Sequence, residues 1–283
     1  MVHQPNGRWY FKFMPYKIRT NALPLLPKGA SDIKILHFSD LHLTPSRNTL
    51  IKDIKSWIDL KPDLIISTGD FLAHKDGIKP LIIALDKLLD APGLFVFGSN
   101  DYYAPKFKNP FSYLMPDRGE RKLGENLNWQ LLQKKLIDRG WKDLNHNKVK
   151  LKIKGVVIEA RGTDDAHLEL DNYPLVEGKK SKSADISIGL THAPYERVLA
   201  AMAQDKLDLI FAGHTHGGQV RLPWPGGSKA LTTNCDLDNW RASGLSKVND
   251  GPWLNVSAGM GTSPFAPIRF TCPPEVSLIT LTA

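Results

Sequence analysis

Five short stretches of this chain carry side chains suited to binding divalent cations. They are Asp40-Leu41-His42, Gly69-Asp70, Gly98-Ser99-Asn100-Asp101, His192, and Gly213-His214-Thr215-His216-Gly217-Gly218. Carboxylate and amide oxygens together with imidazole nitrogens suit Mn, Fe, Zn or Co. No thiolate accompanies them, which argues against a structural cysteine-type zinc site. Two such cations about 3.5–4 Å apart repel each other, and a bridging carboxylate offsets the repulsion. Asp70, the lone carboxylate after a central strand, is the natural bridge. In Asp40-x-His42 and His214-x-His216, alternate residues of an extended chain point the same way. Gly213, Gly217 and Gly218 permit a tight backbone path. Each stretch alone has an ordinary reading, since Asp and Asn cap helices and shape turns. Their recurrence after successive apolar runs is what asks for a shared site.

The elements between them must bring them to one edge. Ile33–Ser39 reads as a buried strand, and Arg47–Leu60 places Leu50, Ile51, Ile54, Trp57 and Ile58 at helical spacing. Asp63–Thr68 predicts a strand, Ile78–Leu89 a helix and Leu94–Phe97 a third strand. This alternation predicts a parallel sheet with crossover helices. Further on, a helix is expected over Asn126–Arg139, with short strands near Trp141–Leu144, Val149–Ile153 and Val156–Ala160. Ile186–His192, Asp208–Gly213, Trp253–Ala258 and Glu275–Leu281 read as later strands, and Tyr195–Ala203 as a helix. In open α/β sheets, ligands bind outside the carboxyl ends of the strands, where all five stretches fall. The proline-broken Leu23–Lys28 reads as an extended linker. The expected organisation is a basic, aromatic extension over residues 1–28 and one domain over 29–283, with sheets inside and helices outside.

The chain has 283 residues, 42% of them hydrophobic, enough for a sizeable core. Its formal net charge of +8 favours anionic partners: phosphorylated substrates, an acidic membrane surface or nucleic acid. Two distant cysteines, Cys235 and Cys272, make no disulfide framework and suit a reducing cytoplasm. No run approaches the roughly 18 apolar residues of a membrane span, and the N-terminus lacks the apolar core of a signal peptide. Arg8–Arg19 interleaves aromatics and cations in a way that suits a lipid headgroup layer. The expected location is cytoplasmic, with peripheral membrane contact open to that stretch.

In chain order, SDLH, TGD, GSND, THAP and GHTH resemble the motif series of the calcineurin-like metallophosphoesterases: D-x-H, GD, GNH[DE], H and GHxH. The likeness spans Ile35–Val220. GHTHGGQVRLP (Gly213–Pro223), the pair Asp164-Asp165 and IRF..PPEVSLITL (Ile268–Leu281) are similar to a bacterial branch that includes membrane-associated phosphodiesterases. The resemblance implies a four-layer αββα sandwich with two central mixed β-sheets. It also implies hydrolysis of a phosphate ester, most simply a phosphodiester, by water activated between two divalent cations. Position by position, it implies Asp40, His42 and His216 on one ion, Asn100, His192 and His214 on the other, and Asp70 between them. His192 and His214 would then also act in catalysis.

The third motif departs from the pattern. Without a gap, Ser99 stands for the ligand Asn and Asn100 for the His. Shifted by one residue, Asn100 is the ligand and Asp101 stands for the His. The shift is preferred, because an amide oxygen is a better ligand than a neutral hydroxyl. Asp101 then becomes the candidate proton donor, with His74 and His167 as candidate substrate contacts. The expected substrate is a phosphorylated small molecule or a lipid headgroup. A nuclease of the same fold and a non-catalytic scaffold are the competing readings. The first would need an added nucleic-acid-binding region that the sequence does not show, and the second should have lost ligands.

Overall fold

In the computed structural model, residues 15–107 and 123–283 are described in full, together with the backbone of residues 2–3 and 9–10. Three apolar runs become adjacent parallel strands: Ile33–Phe38, Leu64–Ser67 and Gly93–Phe95. Ile35 lies opposite Leu64, and Ile66 opposite Leu94. Their near-continuous apolar character follows from burial on both faces. Lys142–Asp143 extends this sheet on one side. On the other, Glu275–Thr282 runs antiparallel to Ile33–Phe38 and parallel to Lys17–Pro24, completing six strands.

The second sheet also has six strands, in the order Gly244–Lys247, Trp253–Val256, Leu209–Ala212, Ile186–Leu190, Val156–Gly162 and Lys148–Ile153. The four central strands are parallel and both edges antiparallel. Ile35, Leu64, Ile66 and Leu94 of the first sheet share a core with Ile158, Ile188, Leu209 and Phe211 of the second. Each such side chain, fully buried, contributes about 1.5–3 kcal/mol. Helices Asn48–Ser56, Ile78–Leu85 and Trp129–Asp138 cover the outer face of the first sheet, packing on Leu36, Phe38, Ile65 and Phe95. Helix Glu196–Gln204 covers the second through Val198, Leu199 and Met202. The architecture is a four-layer αββα sandwich with two central mixed sheets.

Lys17–Pro24 is a finding that periodicity did not suggest. It pairs along its length with Glu275–Thr282, from Lys17 opposite Glu275 to Pro24 opposite Thr282. Leu23 and Leu26 enter the core between the sheets, so the segment read as an extended linker begins as the end of a paired strand and is anchored. An edge strand tolerates Pro24, whose missing N–H faces no ladder partner. The part of the basic, aromatic stretch before Pro15 lies outside the residues whose side chains are described. Among the described residues, no helix is long and apolar enough to cross a membrane.

Candidate metal centre

The central strands end just before the site residues, and the chain then turns sharply. Asp40, His42, Asp70, His214 and His216 all have φ between 42 and 68°. A non-glycine residue there costs about 1–2 kcal/mol, so the surroundings must hold each one in place. The extended geometry expected for Asp40-x-His42 and His214-x-His216 is therefore replaced by left-handed bends. Neighbouring loops lock these bends. Asp40 N–H donates to Gly69 O at 2.9 Å and His42 N–H to Asp70 O at 3.0 Å. Gly69, with φ at +91°, leaves no room for a side chain, since a Cβ would lie 2.5 Å from Gly98 N. A Cβ on Gly98 would likewise strike Asp70 and come within 2.6 Å of the His192 ring.

The result is two overlapping groups of ligand atoms. Asp40, His42 and His216 form one, and Asp40, Asp70 and His192 the other, each with its atoms within 4.8 Å of one another. Asp70 Oδ2 lies 3.5 Å from His42 Nε2 and 3.6 Å from His192 Nε2, one ring from each group. His42 Nε2 and His216 Nε2 face each other at 3.1 Å. Asn100 donates its backbone N–H to Asp70 Oδ1 at 2.8 Å, and its side-chain amide meets Asp70 Oδ2 at 2.6 Å. Rotating that amide would turn its oxygen to the same point. Asp40 Oδ1 and His192 Nε2 are buried with no hydrogen-bond partner among the described residues. Unpartnered buried polar atoms are costly, and here they converge with a donor set typical of borderline divalent cations. The residues present fit such ions.

Backbone carbonyls orient the rings. His192 Nδ1 meets Thr68 O at 2.6 Å, and His216 Nδ1 meets Gly261 O at 3.3 Å. Each contact leaves the ring's Nε2 lone pair facing the other ligands. Burial, followed by the neighbouring rings and cations, lowers the pKa of His216 well below its usual range. Burial also takes His42 down to about 4. Both are neutral imidazoles, as ligands must be. Burial opposes ionisation of Asp70, but His192, His42 and the Asn100 bonds outweigh it and keep its pKa low. Burial also disfavours a charged His192, yet Asp70, Asp165 and Asp40 hold its pKa at about 9. Around His192 these carboxylates therefore favour positive charge. His37 is buried next to this centre. It joins Thr68 Oγ1 at 2.9 Å to the Asn255 amide at 2.8 Å, and burial lowers its pKa to about 3.

Other expected site residues fall in different places. His214 lines the cavity, with its ring centroid 5.2 Å from that of His192, but lies outside both ligand groups. Its Nε2 meets Asn234 O at 3.0 Å, and its backbone N–H donates to Asp40 Oδ2 at 3.0 Å. His167 also lines the cavity, 3.1 Å from the Tyr195 hydroxyl and 4.5 Å, centroid to centroid, from His214. His74 does not line it. That residue is exposed, and its Nδ1 caps a short turn by accepting from Asp76 N–H at 3.1 Å. Asp101 is fully buried and turned away from the cavity. Its two oxygens accept from the backbone N–H groups of Asp70 (2.8 Å), Phe71 (2.8 Å), Leu72 (3.3 Å) and Gly98 (3.0 Å). Burial and the charge of Asp70 push its pKa up, but a protonated oxygen would face only donors. This placement does not suit a proton donor to substrate, because every lone-pair direction already holds backbone. Asp164 and Asp165 shape their own turn, Asp164 accepting from the Tyr102 hydroxyl at 2.7 Å and Asp165 from His167 N–H at 3.1 Å.

Arg269 backs the site, a task that its residue type alone does not reveal. Its signal was present in the IRF motif. Half-buried, its guanidinium reaches the carbonyls of Gly261 at 2.7 Å, Ala258 at 2.9 Å, Gly259 at 3.0 Å and His216 at 3.3 Å. Gly261 is the residue whose carbonyl meets the His216 ring and whose N–H donates to Asp40 O at 2.6 Å. Arg269 thus fixes the backing of two ligands. Arg269→Gln should weaken cation binding by about 10–100-fold, as loss of supporting contacts does elsewhere. Competition with a chelating indicator measures this, and unchanged affinity would refute the role.

This sandwich gathers carboxylate and imidazole groups that could hold metal ions at its strand ends. Residues 33–218 match the family model for calcineurin-like phosphoesterases, and the chain belongs to that family. It is 28% identical to the uncharacterized metallophosphoesterase YkuE of Bacillus subtilis, over 97% of this chain and 90% of that one. To the phosphodiesterase YaeI of Escherichia coli it is 25% identical, over 94% of this chain and 88% of the relative. Among solved structures, a purple acid phosphatase from yellow lupin aligns with a TM-score of 0.48 at 14% identity, over 87% of this chain and 47% of that one.

Proposed function

We propose that the protein is a phosphodiesterase working at a pair of divalent cations. The observation carrying this reading is the position of Asp70 Oδ2 between His42 Nε2 and His192 Nε2, beside the unpartnered Asp40 Oδ1. Asp40, His42 and His216 would hold one ion. Asp70 would bridge, and His192 and His214 would complete the other side, with Ser99 in the place of the motif's Asn. When bound, the ions supply Lewis acidity at the phosphoryl oxygens and a water of lowered pKa. The chain's own groups do the rest. Thr68 O and Gly261 O hold the rings in their binding orientation, and burial keeps His42 and His216 neutral. Buried Asp101 supports the ungapped register, with Ser99 and Asn100 both on the cavity wall. An Asn in place of the motif's His can donate a hydrogen bond to a phosphoryl oxygen but cannot hand over a proton. The site therefore suits a leaving group stable as an anion.

The substrate would be a phosphorylated small molecule or a lipid headgroup. The +8 charge supports contact with acidic surfaces, and the free thiols Cys235 and Cys272 fit a reducing compartment. Metal analysis should find about two ions per chain. A chelator should abolish hydrolysis of bis(p-nitrophenyl) phosphate, and added Mn should restore it. Preference for the monoester p-nitrophenyl phosphate would overturn the diester reading. Inactivity with two ions bound would overturn catalysis altogether.

A further inference from the structure

The ligand cluster is only one part of a cavity of about 390 Å³. Much of the remaining wall is carbon: Leu123, Val220, Leu231, Phe265 and Ile268. Phe265 and Ile268 are 44% and 59% exposed, and Phe107, 66% exposed, meets the Phe265 ring edge-on at 6.1 Å. Large apolar side chains left this open around a polar centre mark a surface that awaits an apolar partner. Lys106, on the same wall, adds a cation beside them.

We infer that this wall binds an alkyl or acyl chain of the substrate, so that the phosphoester is amphiphilic. The inference rests on the phosphodiesterase reading and names the substrate class of that same site. A small polar ester would fill the cation end and leave the carbon wall wet. A nucleobase fits less well. Recognition of its edge needs polar groups left for the ligand, whereas Gln219 Nε2 donates to Ala266 O at 2.9 Å and Ser263 Oγ accepts from Phe265 N–H at 3.3 Å. Phe107 and Phe265 also lie at 86° to each other and so do not form a parallel slot for a base. The chain of an amphiphile asks only for contact area, which this wall supplies directly beside the ligands.

The test is a series of alkyl p-nitrophenyl phosphodiesters, methyl, butyl and octyl, each below its micelle concentration. Each turnover breaks the phosphorus–oxygen bond to p-nitrophenolate and forms one to the oxygen of water, releasing alkyl phosphate and the water's proton. With each methylene about half-buried on this open wall, kcat/KM should rise about twofold per methylene, on the order of 100-fold from methyl to octyl. The double variant Phe265→Ser, Ile268→Ser should flatten that rise while its metal content stays at the wild-type level. Equal kcat/KM for methyl and octyl esters would overturn the inference. So would a rise left intact by the double variant, or a nucleoside 5′-p-nitrophenyl ester preferred over the octyl ester. Failure to hydrolyse any ester, with two ions bound, would instead overturn the phosphodiesterase reading on which the inference rests.

Discussion

Asp70→Asn should lower turnover of an aryl phosphodiester by on the order of 10³-fold or more and leave fewer than two ions on each chain. The carboxylate sits between one imidazole of each ligand group, at 3.5 and 3.6 Å. Its charge would offset repulsion between two cations bound close together. An amide is neutral and has one acceptor oxygen. Its NH₂ would also confront one of the two Asn100 donors, which now meet one carboxylate oxygen each. Metal analysis with steady-state kinetics reads both effects, and circular dichroism checks that the sandwich persists. Full activity with two ions bound would sink the bridging assignment.

Asp101→Asn should act on stability, by about 3–5 kcal/mol. Four backbone N–H groups converge on this carboxylate. The amide can satisfy only those that reach its single oxygen, and its own N–H groups would face donors. For a chain of this size the melting temperature should fall by roughly 10 °C. The donors belong to the loops that carry Asp70 and Asn100, so cation affinity should fall with it. If Asp101 instead delivered a proton to substrate, the variant would keep its melting temperature and its metals and lose only turnover. Thermal unfolding beside metal analysis separates the two outcomes.

The contrast between Asp101 and Asp70 shows where residue types stop being informative. Both are carboxylates just beyond apolar strands, and by sequence either can serve as ligand, acid or cap. Asp70 faces two imidazoles, whereas Asp101, a few ångströms away, faces four amides. His74 and His167 diverge in the same way. Each lies within a few residues of an aspartate after a strand, yet only His167 reaches the cavity. Lys17–Pro24 gave little local signal of a strand. Its burial pattern is that of an edge, and its partner, Glu275–Thr282, lies at the other end of the chain.

The chain's own pattern determined the alternation of strands and helices, the edge of the sheets where the ligands gather, and the set of groups able to hold a cation. Apolar runs and helical spacing are local properties, and the ordered motifs are strings of residues. Tertiary structure alone decided which carboxylate stands between the imidazoles and which one braces the backbone. It also decided that left-handed bends at Asp40, His42, Asp70, His214 and His216, rather than extended chain, aim the side chains. The supports at Thr68, Gly261 and Arg269 belong there too. Backbone carbonyls are common to all residues, so only packing that brings distant loops within 3 Å or so can select which of them orient a ligand.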